Sequence, residues 1–204
     1  MQAEPRKDPS ILSHQEERCQ FFASESTKPA SILFMGDSIV EFFSLKKFLG
    51  YDLNLVNHGI AGTSAHWMCD HVDQVLAGAQ PEQIFLLIGT NDIGMGYETE
   101  EIVTCIEAIS NRLRSFSYGS RLTLISVLPV NEAPKYQAKI KIRRNNKIEE
   151  LNRQLEALPG IEFADVFTAL LDKQGQLAEE YTQEGLHLTQ AGYAKLAQAL
   201  KLYL

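Results

Sequence analysis

Five short apolar runs punctuate the chain, at 32–35, 53–56, 84–88, 122–127 and 161–166. Each is continuous rather than alternating and rich in Ile, Leu, Val or Phe, the pattern of a strand covered on both faces. Longer segments between them carry apolar residues at helical spacing. Trp67, His71, Val72, Val75 and Leu76 mark one, and Ile102, Cys105, Ile106, Ile109 and Leu113 the next. Ile140, Ile148, Leu151, Leu155 and Leu158 mark a third, and the stretch 188–204 closes the chain with Leu196, Ala199, Leu200 and Tyr203 on one side. This alternation predicts an α/β fold of three layers, α/β/α, around a doubly wound parallel five-stranded sheet. Residues 1–28 read as an extension with a short helix around 11–22. Pro29 breaks the pattern before the first strand, and 29–204 reads as one domain.

The polar residues worth most attention fall just after these strands, where the loops of an open α/β sheet converge on one edge. Gly36-Asp37-Ser38 follows the first run, 57–62 the second, Gly89-Thr90-Asn91-Asp92 the third, and Glu184-Gly185-Leu186-His187 the fifth. Ser38 is the candidate nucleophile, and a serine hydroxyl needs a base to remove its proton. His187 is the natural base, with His58 as its competitor. Glu184, three residues before His187, can reach back to the imidazole and fix its tautomer. The backbone of Gly62, the side-chain amide of Asn91 and the backbone N–H of Ser38 are candidate oxyanion donors. Asp37 and Asp92 are expected in support, as carboxylates that accept backbone N–H groups and stiffen their loops. Met95, Tyr97 and Val130 lie in the loops that would wall a small apolar acyl site, and no long apolar lid is visible. That tilts the reading toward short acyl groups, acetyl above all.

Composition narrows this further. The 204 residues are 45% hydrophobic and 22% charged, enough for a substantial core. A net charge of -7 argues against a nucleic-acid or anionic-membrane partner. The main basic cluster, at 135–147, reads as a solvated helix face. Three cysteines, Cys19, Cys69 and Cys105, form neither a disulfide framework nor a zinc site, and no metal or organic cofactor is implied. There is no apolar leader core at the start of the chain and no run of the roughly 20 apolar residues that span a bilayer. The expectation is a cytoplasmic protein acting on a small-molecule ester, whose extension packs on the domain, covers the site or mediates a homodimer.

From about Ser31 to Tyr203 the four blocks, in this order, resemble the SGNH hydrolases, also called the GDSL esterase/lipase family. The family letters fall on Ser38, Gly62, Asn91 and His187. The stretches 56–63, 88–92 and 187–193 are most similar to the branch of platelet-activating-factor acetylhydrolase-like esterases. The resemblance implies a flavodoxin-like sheet and a serine esterase with Ser38 as nucleophile and His187 as base. It implies Gly62, Asn91 and the Ser38 N–H as the oxyanion hole. Two departures stand out: Gly-Asp-Ser-Ile replaces Gly-Asp-Ser-Leu, and Glu184 stands where the family usually has aspartate. Three further readings share these residues: a lysophospholipase or thioesterase, an acyltransferase, and a flavodoxin-like module that binds a small ligand without turning it over.

Overall fold

A computed structural model describes residues 8–25, 31–116 and 119–204. The elements follow in the order α1 (Pro9–Ser24), β1 (Ile32–Gly36), α2 (Ser38–Glu41), α3 (Leu45–Leu49), β2 (Leu55–Gly59), α4 (Ala65–Leu76) and β3 (Gln83–Leu87). They continue with α5 (Thr90–Met95), α6 (Thr99–Phe116), β4 (Arg121–Ile125), α7 (Gln137–Ile140), α8 (Asn145–Glu156), β5 (Glu162–Ala164) and α9 (Gln190–Leu200). The five strands are all parallel and lie in the order β2-β1-β3-β4-β5, the flavodoxin-like arrangement.

Strand side chains alternate between two apolar layers, as the twofold period of a strand requires. Leu33, Met35, Ile84, Leu86, Leu122 and Leu124 meet α4, α6 and α8 on one face through Met68, Val72, Ile102, Ile106, Leu151 and Leu155. Phe34, Phe85, Leu87 and Ile125 face the other way, toward α2, α3 and α9, where they meet Ile39, Leu45, Leu49, Leu196 and Leu200. Both faces are therefore covered, which is why the strands read as unbroken apolar runs.

Helix α1 extends the expected 11–22 segment at both ends. Asp8 caps it by accepting the Ser10 N–H at 2.9 Å, and Pro9 stands in the first turn. Pro29 lies outside the described residues. The helix lies over the open edge of β2, where the Arg18 guanidinium donates to the carbonyls of Gly59 (3.2 Å) and Asn57 (3.5 Å). Phe22 is fully buried and stacks on the His58 ring with centroids 4.1 Å apart. The third helical segment departs from expectation. The spacing of Ile140 and Ile148 reads as one helix, but Lys141 takes φ 58 and ψ -118, which ends α7 and lets the chain turn before α8. No helix among the described residues is long and apolar enough to cross a membrane.

Candidate active site

The register pairs Gly36 with Gly59 on one side and with Leu87 on the other, so β1, β2 and β3 end level. The strand order reverses between β1 and β3, and the crevice beyond such a point is where open α/β sheets bind ligands. At Gly36 a side chain is impossible, since a Cβ would lie 2.1 Å from the Leu87 carbonyl oxygen. The chain then turns at Asp37, which caps α2 by accepting the Ile39 N–H at 2.9 Å, and Ser38 opens the helix.

Ser38 Oγ lies 2.9 Å from His187 Nε2. On the far side of the ring, His187 Nδ1 lies 2.7 Å from Glu184 Oε1, which also accepts the His187 backbone N–H at 2.8 Å. The glutamate reaches because its loop is tight. Thr182 Oγ1 accepts the Gly185 N–H at 2.9 Å and donates to the His187 carbonyl at 2.8 Å. A Cβ on Gly185, at φ +85, would meet Tyr136 at 2.6 Å. Lys139 Nζ holds the other glutamate oxygen at 2.7 Å. Burial alone would raise the Glu184 pKa, but Lys139 and the His187 N–H together hold it below the usual value. Burial pushes the His187 pKa below that of free imidazole; Glu184 opposes this, and Lys139 and Arg143 add to it. The ring is thereby kept in the neutral form a base needs.

The second group of residues surrounds the turn after β2. Thr63 donates its N–H to the Ile60 carbonyl at 3.2 Å, and Gly62 has φ +78. This is the form of a type II turn, which needs glycine at its third position. Asn91 donates one amide N–H to the Thr63 carbonyl at 2.9 Å and accepts from Arg143 Nη2 at 3.2 Å. Those contacts settle which end of the amide is nitrogen and leave its second N–H for another acceptor. Asp92 is fully buried and accepts the N–H groups of Ala65 (2.7 Å) and His66 (3.2 Å), fixing the start of α4. His66 Nδ1 also lies 2.8 Å from Asp92, a hydrogen bond that raises the His66 pKa. Asp37 is equally buried. Burial raises its pKa to about 7, Arg143 and the Ile39 N–H pull it down, and Asp92 pushes it up.

A small apolar recess is lined by Ile39, Leu87, Thr90, Leu128, Pro129 and Leu186, three of which are the sequence neighbours of Ser38, Asn91 and His187, although none of those three side chains lines it. The space between them is small, about 220 Å³ counting what is open to solvent. Phe42 is 51% exposed, with its ring 5.7 Å from that of His187. A larger groove runs between α1, α3 and β2, but none of Ser38, His187, Glu184, Gly62 or Asn91 lines it.

The model of the GDSL-like lipase/acylhydrolase family matches residues 34–195, the span that holds all four blocks. The chain belongs to this family. It is 26% identical to platelet-activating factor acetylhydrolase IB subunit alpha2 of Gallus gallus, over 89% of this chain and 79% of the relative. Among solved structures, a candidate platelet activating factor from Streptococcus pneumonia superimposes with a TM-score of 0.90 at 38% identity, covering 96% of this chain and 94% of that one. A GDSL-like lipase from Bacteroides thetaiotaomicron VPI-5482 shares the fold, with a TM-score of 0.80 at 20% identity over 94% of this chain and 97% of that one. The protein is thus an SGNH hydrolase of the platelet-activating-factor acetylhydrolase-like branch, and a carboxylic ester hydrolase.

In this SGNH hydrolase the fold brings Ser38, His187 and Glu184 into one hydrogen-bonded line, with the Gly62 turn held to Asn91 through Thr63. His58 is not part of that line. It is fully buried, its Nδ1 lies 2.6 Å from the Val75 carbonyl, and burial drives its pKa down to about 4. Val130 departs from the expected wall. Its side chain is fully buried in the core, and Asn145 clamps its backbone N–H (2.8 Å) and carbonyl (2.9 Å), so it offers no surface to a substrate. Tyr97 stacks on His66 with centroids 3.7 Å apart, and Met95 is 44% exposed.

Arg143 is the residue that sequence reasoning placed wrongly. It sits in the turn between α7 and α8, buried rather than solvated, and donates to Thr90 O (2.8 Å), Ile140 O (3.2 Å) and Asn91 Oδ1. It lies flat against Gly94, where a Cβ would come within 2.3 Å of the guanidinium. Asp37 and Asp92 act on Arg143 through space without forming an ion pair with it, so the supporting carboxylates offered only a weak signal. The recess residues Ile39, Thr90 and Leu186 were also missed. Each is the sequence neighbour of Ser38, Asn91 or His187, and adjacency was the signal that could have found them.

Proposed function

We propose that this hydrolase cleaves short-chain carboxylic esters, acetyl esters first, through an acyl-enzyme on Ser38. The observation that carries the reading is the line from Ser38 Oγ through His187 to Glu184, with both hydrogen bonds under 3 Å. His187 Nε2 takes the serine proton as Oγ attacks the carbonyl carbon. Glu184 holds the ring and stabilises the imidazolium that forms. Negative charge on the carbonyl oxygen is met by the N–H groups of Ser38 and Gly62 and by the free N–H of Asn91. His187 then protonates the leaving alcohol, the C–O bond breaks, and water repeats the sequence to release the acid. None of these steps requires a metal. The small recess between Ile39, Thr90 and Leu186 supports a short acyl group. So do relatives that carry the name acetylhydrolase.

Initial rates on p-nitrophenyl esters from acetate to long acyl chains test both halves of the proposal. The expected result is a steep fall with chain length in the native protein and a loss of about 10³-fold or more in Ser38→Ala and His187→Ala. Glu184→Gln is expected to lose less, on the order of 10- to 100-fold. A flat chain-length profile would remove the acetyl preference, and undiminished activity in Ser38→Ala would remove the mechanism.

A further inference from the structure

Helix α1 touches the Gly62 turn at successive points. Arg18 holds the Gly59 carbonyl, Gln15 Nε2 donates to Thr63 Oγ1 at 3.3 Å, and Ile11 would lie 3.2 Å from a Cβ on Gly62. A fourth contact is indirect. His14 Nε2 lies 2.9 Å from Glu41 Oε2, and the same oxygen accepts the Ala61 N–H at 2.5 Å. Glu41 is the last residue of α2, one turn on from Ser38. Its carboxylate therefore ties the helix of the nucleophile, the turn of the backbone donor and the N-terminal helix into one unit. Gly59 lets α2 and β2 come this close, since a Cβ there would lie 2.1 Å from the Glu41 nitrogen.

We infer that Glu41, held in place by His14 of α1, is a positioning residue that fixes the direction of the Gly62 N–H toward the oxyanion. The physical ground is the turn itself. The central peptide of the turn joins Ala61 to Gly62 and carries the Gly62 N–H. Rotating that peptide by about half a turn converts type II geometry to type I and reverses the N–H. Glu41 holds the N–H of the preceding peptide, and Ile11 packs over Gly62, so both ends of the rotating unit are restrained. Glu41 itself touches no reacting atom. This inference rests on the proposed role of Gly62 as an oxyanion donor.

The test compares Glu41→Ala, Glu41→Gln, His14→Ala and the double variant Glu41→Ala/His14→Ala. The readouts are kcat and KM on p-nitrophenyl acetate, the rate at which a fluorophosphonate labels Ser38, and Tm. Removing an oxyanion donor outright costs about 10²- to 10³-fold in kcat. Misdirecting one is expected to cost about 10- to 100-fold in Glu41→Ala, with KM within about twofold and labelling slowed in parallel. Glu41→Gln keeps an acceptor for the Ala61 N–H and is expected to recover most of that loss. His14→Ala is expected to lose about threefold alone and nothing further in the double variant, because it acts through Glu41. A kcat within twofold of native in Glu41→Ala, or a Glu41→Gln no better than Glu41→Ala, overturns the inference. So does a strictly additive double variant. Activity surviving in Ser38→Ala would instead overturn the catalytic reading beneath it, while an inactive Ser38→Ala beside a normal Glu41→Ala overturns this inference alone.

Discussion

Glu184 carries one methylene more than the family's usual aspartate and still reaches His187 Nδ1 at 2.7 Å. It does so from a loop pulled tight by Thr182, with Lys139 drawing its second oxygen outward. Lys139 therefore acts on the histidine in two opposed ways. It fixes the carboxylate that steadies the ring, and its own charge disfavours the imidazolium. Since the base must be neutral, kcat/KM should fall on the acid side with a midpoint below the ordinary histidine value of about 6.5. Replacing Lys139 by Gln removes a positive charge close to the pair, so the His187 pKa rises and the acid limb moves to higher pH. A pH–rate profile of the two proteins measures the direction. An acid limb that stays put or moves lower would mean that Lys139 only orients Glu184.

Between elements, the join of α7 to α8 does most to shape the site. Arg143 hangs in that join and links it to the start of α5 through Thr90 and Asn91, with the charges of Asp37, Asp92 and Glu184 all acting on it. Lysine cannot copy a planar fork that meets three acceptors at once. Arg143→Met leaves the buried carbonyls of Thr90 and Ile140 and the Asn91 amide oxygen without their donor and is expected to destabilise the fold by roughly 1–3 kcal/mol. Arg143→Lys should lose less stability but still lower kcat about tenfold, because Asn91 loses the contact that orients its amide. Thermal denaturation beside kinetics checks both, and a native Tm in Arg143→Met would mean the cation is dispensable. The same join shows where sequence reading stops. Strands β1 to β5 and the long helices α4, α6 and α9 were legible because burial imposes a period on many residues at once. The four-residue helices α2 and α7 are too short to show a period, and the left-handed Lys141 leaves no mark in the hydrophobic pattern. At the site, Ser38, Gly62 and Asn91 were legible because each follows closely on an apolar strand, whereas Glu184 and His187 lie well beyond β5, just ahead of α9, and were legible only through the block they form. Ile39 and Leu186 were not, because an apolar residue that lines a recess looks the same in sequence as one that fills a core.

Over the whole molecule, two buried groups set opposite demands on pH. His58 lies under α1 at the β2 edge, stacked on Phe22, and in the folded chain its pKa falls to about 4. The unfolded chain, with an ordinary histidine near 6.5, takes up a proton first as pH falls, so His58 removes stability between about pH 6.5 and 4. Asp37 lies at the end of β1 and does the reverse. Its folded pKa of about 7 stands above the ordinary 3.8, so the folded chain binds the proton first and stability is lost as pH rises through that interval. The two slopes overlap and largely cancel, which masks each in the native protein. Asp37→Asn separates them. The amide still accepts the Ile39 N–H that caps α2, and it cannot ionise. The variant should be close to native in stability near pH 4 and gain on it steadily to about pH 7.5. The gap at the upper end is on the order of 4 kcal/mol. With the Asp37 slope gone, the variant should lose stability on acidification below pH 6.5 more steeply than the native chain, exposing the contribution of His58. Tm measured from pH 4 to 8 on both proteins decides it. A gap that does not change with pH would mean that Asp37 keeps its charge in the folded site, with Arg143 beside it outweighing the cost of burial.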